Sequence, residues 1–179
     1  CNNHIKTYPA NLYLCNKMET FDVSYNDIDE IPLKVGDLEL LKVCKEWEVG
    51  MGQFTALTHL NIAHNNISVF PKQMERCPGL TELNLSHNKF AMGSIPKTIE
   101  ANKLLKVIDI SSNPIMTIPN EFTQFKYLER LYASGCGLKE LPGNLRHWGN
   151  LHELVIDDNE MTGIDNSIVD LRTLTKLSM

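Results

Sequence analysis

A chain of 179 residues that is 42% apolar, with 17 basic and 22 acidic side chains, has the make-up of an ordinary globular protein with a net charge of −5. That acidic balance argues against a nucleic-acid partner, because phosphate binding wants a basic surface, and no apolar run approaches the ~18–20 residues a membrane span needs. The five cysteines, Cys1, Cys15, Cys44, Cys77 and Cys136, are odd in number and scattered, which points to packed free thiols in a reducing compartment and to a cytoplasmic protein.

The chain opens on the back half of a unit that then recurs to its end. The unit is clearest at Leu80-Thr-Glu-Leu83-Asn-Leu85-Ser-His-Asn88-Lys-Phe90, with apolar residues at positions one, four, six and eleven and asparagine at nine. Counting back 23 residues from Asn26, Ile28, Ile31 and Pro32 lands on Asn3, Ile5, Tyr8 and Pro9, so residues 1–17 carry a partial copy. Whole copies begin at Met18, Leu57, Leu80, Leu105, Leu128 and Leu151, and a last strand begins at Leu174. From Leu57 onward the step is 23 residues, except for one of 25 after Leu80, where the closing Ile95-Pro96 pair falls two residues late.

The step from Met18 to Leu57 is 39 residues, one unit of 23 plus 16 that are too few for another. Leu38, Leu41 and Cys44 recur there at helical spacing behind Asp37, which predicts an inserted helix over about 37–48. The competing reading is an irregular repeat starting near Leu41. Because the chain starts in mid-unit and stops on a fresh strand, residues 1–179 are expected to be one continuous array cut from a longer protein.

The leucine spacing, the Asn or Cys at position nine and the closing Leu-Pro or Ile-Pro pair resemble the leucine-rich repeat family. The length of 23 residues is similar to the intracellular subclass found in Ras-suppressor and Scribble-type scaffolds. The resemblance implies an α/β solenoid: a curved parallel sheet on the inner face, one short strand per repeat, with short helices or turns outside. Positions one, four, six, eleven and fourteen, such as Leu105, Ile108, Ile110, Ile115 and Ile118, would fill the interior. The family's asparagines bond backbone groups that burial would otherwise leave unpaired, and Asn26, Asn65, Asn88, Asn113 and Asn159 are expected to do so, with Cys136 standing in once. Pairs such as Phe122/Phe125, Leu145/Trp148 and Ile168/Leu171 would close the outside.

Partners of this family usually lie against the inner sheet face, at positions two, three, five, seven and eight. Those positions hold eight acids (Glu19, Asp22, Glu82, Asp109, Glu129, Glu153, Asp157 and Asp158) and three bases (Lys106, Arg130 and Lys176), which is the whole net charge of the chain. The resemblance therefore implies a partner site on the concave face with a basic protein as ligand. Its candidate residues are His59, Asn61, His64, Glu82, Asn84, His87, Asp109, Glu129, Arg130, Tyr132, Glu153, Asp157 and Asp158. Tyr132 beside Arg130 is the expected aromatic anchor. His64 and His87 share one position in adjacent copies and should be neighbours, yet no carboxylate or thiol completes a metal set around them.

No phosphate loop, nucleophile elbow or His-x-x-x-His motif occurs, so neither a catalytic residue nor a cofactor is expected. The sequence reads as a non-catalytic interaction scaffold. The alternative is the recognition segment of a larger signalling enzyme, a cyclase, phosphatase or Roco-type kinase, whose catalytic domain lies elsewhere.

Overall fold

The computed structural model describes residues 3–7, 17–30, 56–70, 74–75, 77–164 and 166–179. Each described copy contributes one three-residue strand at positions three to five: β1 (Thr20–Asp22), β2 (His59–Asn61), β3 (Glu82–Asn84), β4 (Val107–Asp109), β5 (Arg130–Tyr132), β6 (Glu153–Val155) and β7 (Lys176–Ser178). They form one seven-stranded sheet in chain order. Every neighbouring pair is parallel and in the register of the repeat, Phe21↔Leu60, Leu83↔Ile108 and Leu131↔Leu154 among them. β1 pairs directly with β2 across the long step. The inserted helix over 37–48 and the irregular repeat near Leu41 both fall outside the described residues.

Strand alternation explains the core. The middle residue of each strand points into the coil and its two neighbours point out, so Leu60, Leu83, Ile108, Leu131 and Leu154 are buried. The five interior positions of the copy from Leu105 are buried as the repeat requires. The outer wall is made of 3-10 helices, Lys97–Ala101, Asn120–Gln124, Leu145–His147 and Asn166–Asp170; among the described residues no α-helix occurs. Phe122 and Phe125 pack with ring centroids 5.5 Å apart behind one of them, and Leu145 and Trp148 are fully buried behind the next.

Two ladders of side-chain hydrogen bonds tie successive coils together. In the first, the amide nitrogen of Asn88 reaches Ile62 O, Leu85 O and Ser86 O at 2.9–3.1 Å, and its Oδ1 accepts the N–H of Ile67 at 3.0 Å. Asn65, Asn113 and Asn159 repeat the pattern. Asn26 does so for the partial copy, accepting the N–H of Ile5. Cys136 keeps half of it: its Sγ–H donates to Ile110 O at 3.2 Å, but it has no acceptor for Ile115 N–H, which turns back to Asn113 O at 2.8 Å. The next residue, Met116, takes φ +66. Gly137, which follows the cysteine, is itself left-handed at φ +71, a backbone that glycine adopts without strain.

The second ladder lies in the outer wall and has no signature in the repeat. Trp148 Nε1–H donates to Phe122 O at 2.8 Å, and Asn102, fully buried at the equivalent place two copies earlier, donates to Met74 O and Cys77 O.

Candidate functional site on the concave sheet face

The outward residues of the strands fall into straight rows, because parallel in-register pairing puts the same repeat position side by side in every coil. Position three gives Thr20, His59, Glu82, Val107, Arg130, Glu153 and Lys176; position five gives Asp22, Asn61, Asn84, Asp109, Tyr132, Val155 and Ser178. Positions two and eight flank them, so all thirteen candidate residues lie on one face or its edge.

Position seven departs from expectation: Ser24, Ala63 and Ser86 are buried rather than presented. The cause is the residue two before. Asn84 Oδ1 accepts both the N–H (3.0 Å) and the hydroxyl (2.7 Å) of Ser86, Asp22 Oδ1 does the same for Ser24, and Asn61 and Asp109 hold the next amides but one. Part of the acid and amide content of position five therefore ends the strand, a local turn these short side chains form readily.

Charge on the face is not uniform. Towards the strands' N-terminal ends the ions pair across coils: Lys106 with Glu129 at 3.2 Å, Lys176 with Glu153, and His59 with Glu82 at 3.5 Å. Tyr132 Oη–H donates to the other oxygen of Glu153 at 2.9 Å. The hydrogen bonds of Lys176 and Tyr132 hold the Glu153 carboxyl below the ordinary range, and Glu153 in turn raises Lys176. Partial burial, then the bond to Glu153, raises the Tyr132 phenol. Towards the C-terminal ends the acids Asp22, Asp109, Asp157 and Asp158 form no salt bridge among the described residues; Asp157 accepts the Ser178 hydroxyl at 2.6 Å and lies near enough to Lys176 to help raise it. There Asp22 is lowered, because hydrogen bonds from Ser24 and Asn61 outweigh the upward push of its burial. The acidic strip read from sequence thus divides into a half in which Glu129 and Glu153 are paired with lysines and a half in which the aspartates form no salt bridge among the described residues.

Along the edge of those aspartates runs the position-eight row: Tyr25, His64, His87, Ser112, Gly135 and Asp158. All six are left-handed, φ +53 to +62. The row is held in step by backbone bonds such as His64 N–H to Ser86 O and His87 N–H to Ser111 O. In consequence the first three side chains stack: Tyr25 on His64 and His64 on His87, each pair with centroids 3.9 Å apart and planes within 13°. Burial between its neighbours, reinforced by repulsion from His87 and only partly offset by Asp109, lowers the His64 imidazole. Sequence alone placed the two histidines side by side but did not include Tyr25 in the set. The row's residue types were a usable signal, since Asn, Asp, His and Gly are those that tolerate a left-handed backbone.

No group of three His, Cys, Asp or Glu side chains among the described residues is arranged to hold a metal ion. No helix among them is long and apolar enough to cross a membrane.

Two family models described as leucine rich repeat match the chain, one over residues 33–90 and the other over 79–102 and 104–125, together just over half of it. The chain belongs to the leucine-rich repeat family. Among solved structures, a leucine-rich repeat protein of Leptospira interrogans superposes with a TM-score of 0.83 at 25% identity, over 99% of this chain and 41% of that one. The leucine-rich repeat ectodomain of an Arabidopsis thaliana plant membrane receptor kinase, solved in complex with CASPARIAN STRIP INTEGRITY FACTOR 2, gives 0.73 at 21% identity over 98% and 19%. The functional domain of the internalin InlJ from Listeria monocytogenes gives 0.67 at 20% identity over 95% and 32%. This leucine-rich repeat array therefore spans less than half the length of each. A comparison with curated proteins finds no match.

Proposed function

We propose that the chain is a non-catalytic module that binds a protein partner with a basic surface on its concave sheet face. Leucine-rich repeat arrays generally mediate protein–protein interaction, and the observation that carries the finer reading is the segregation of charge. The bases of this face are spent mainly on Glu129 and Glu153 or stand beside Tyr132, while Asp22, Asp109, Asp157 and Asp158 line one edge and form no salt bridge among the described residues. Such an edge steers a basic partner and sets its register. Buried free thiols at Cys77 and Cys136 support a reducing, cytoplasmic setting and the intracellular repeat subclass.

A second reading keeps the same face as the recognition segment of a larger signalling enzyme. It rests on the same concave face, with the catalytic domain of a cyclase, phosphatase or Roco-type kinase lying outside these residues.

The test neutralises charge without disturbing the turns. Asp109→Asn, Asp157→Asn and Asp158→Asn together keep each hydrogen-bond acceptor and, at 158, a residue suited to the left-handed backbone. With a partner captured from lysate and purified, the triple variant should associate several-fold more slowly and lose most of its salt dependence. An equal charge change outside, Glu100→Gln with Glu140→Gln and Asp170→Asn, should leave the rate unchanged. Slowing by the outer set and not by the inner one refutes the reading.

A further inference from the structure

Resting on that reading, the geometry points to a specific seat for an arginine side chain of the partner: the end of the Tyr25–His64–His87 stack, walled by the exposed face of His87 and flanked by Asp109 of the next coil. The stack stops at His87 because the next two residues of the row are Ser112 and Gly135, both exposed and too small to continue it. The row resumes only at Asp158, three strand spacings or about 14 Å beyond His87. A flat group laid on His87 would therefore rest over Ser112, with Gly135 leaving room for what it is attached to.

Three features select the occupant. Its surface towards the array must be planar, since the wall is a ring whose partners stack in parallel at 3.9 Å. It must be cationic, since Asp109, the carboxylate beside the seat, forms no salt bridge among the described residues. It must shed water easily to lie on a ring. A guanidinium meets all three, stacking on aromatic faces while its edge bonds carboxylates in pairs. An ammonium is compact and strongly hydrated, and an uncharged ring would leave Asp109 unpaired. The Tyr132–Glu153–Lys176 cluster does not compete for the same group, because its charges satisfy one another.

The probe is the blocked tripeptide Gly-Arg-Gly, titrated in the millimolar range into the whole chain with the imidazole signals of His64 and His87 followed by NMR. Gly-Lys-Gly, Gly-citrulline-Gly and Gly-Phe-Gly serve as comparisons at matched ionic strength. The expected result is a saturable shift of His87, larger than that of His64, with the arginine peptide at least tenfold tighter than the other three. His87→Ala should abolish binding and His87→Tyr retain it, Tyr25 showing that a tyrosine is accepted in this row. Asp109→Asn should weaken binding several-fold while keeping the acceptor for the Ser111 N–H. Equal shifts from the lysine or citrulline peptide, tighter binding of the phenylalanine peptide, or an unmoved His87 overturn the proposal. If the partner's salt-dependent association survives while His87 stays unmoved, only this inference falls. If the outer variants alone affect the partner while the arginine peptide binds, the wider reading falls and the seat stands.

Discussion

Replacing Asn88 by alanine removes the side chain that stitches two coils together, and its cost can be worked out bond by bond. The three carbonyls reached by Asn88 each keep another donor: Asn65 at Ile62 O, Asn113 at Leu85 O and the backbone N–H of His64 at Ser86 O. Only the N–H of Ile67, inside a fully buried residue, is left with nothing. An orphaned buried donor costs about 1–3 kcal/mol, and the shared bonds lost beside it add about 1–2 more, so Asn88→Ala should lose roughly 2–5 kcal/mol. Urea unfolding gives the total, and hydrogen exchange locates it: the Ile67 amide should lose its protection while that of Leu131, two coils away, changes far less, as nearest-neighbour coupling requires. Asn88→Cys is the internal control, because Cys136 occupies the same place naturally. It restores a weak donor but no acceptor, so its cost should lie between alanine and wild type. A loss below about 0.5 kcal/mol for Asn88→Ala, with Ile67 still protected, would show that the ladder does not hold the coils.

Leu83 is 1% exposed at the centre of β3, so Leu83→Asp should bury an unpaired carboxylate and cost several kcal/mol in urea unfolding; wild-type stability would mean the strand register is wrong. Burial pushes the thiols of Cys77 and Cys136 from 9.0 up to about 11, which lowers their thiolate fraction about a hundredfold. Peptide mapping after iodoacetamide at pH 8 should find both unlabelled in the native chain and labelled in urea, and prompt native labelling would contradict their burial. His64, pressed between Tyr25 and His87 with Asp109 nearby, should titrate by NMR below its ordinary 6.5, and His87→Ala should raise it. Since the unfolded chain binds that proton more readily, the contribution to stability is full above pH 6.5 and declines as pH falls below it. A midpoint at or above 6.5 would contradict the stack.

The repeat made the sheet, its register and its interior legible, because a fixed spacing of apolar residues dictates which side chains share a layer. The asparagine ladder was legible too, through the family's pattern, down to the cysteine variant. What the pattern hid are the features set by how neighbouring coils meet. Asn102 and Trp148 look like one polar and one aromatic exception, and only the packed outer wall shows both donating to a preceding coil. The charged residues of the concave face could be listed from the repeat, but their division into paired and unpaired groups could not. Whether Glu153 faces a partner or Lys176 depends on rotamers and on the cross-strand distance. Ser24 and Ser86 were read as presented because strand alternation was carried one residue too far, past the point where Asp22 and Asn84 turn the chain. The ring stack required knowing that position eight is left-handed in every described coil, a backbone fact that the leucine spacing does not report.

Whether partners use the concave face is tested most directly by photo-crosslinking from single sites. A benzophenone side chain at Val107 or Val155, both half-buried outward positions on β4 and β6, should capture the bound partner, with the adduct forming several-fold more slowly when Asp109, Asp157 and Asp158 are all changed to asparagine. The same group at Lys97 or Gln124 on the outer wall should capture none. Adducts formed from Lys97 or Gln124 and absent from Val107 and Val155 would contradict the account.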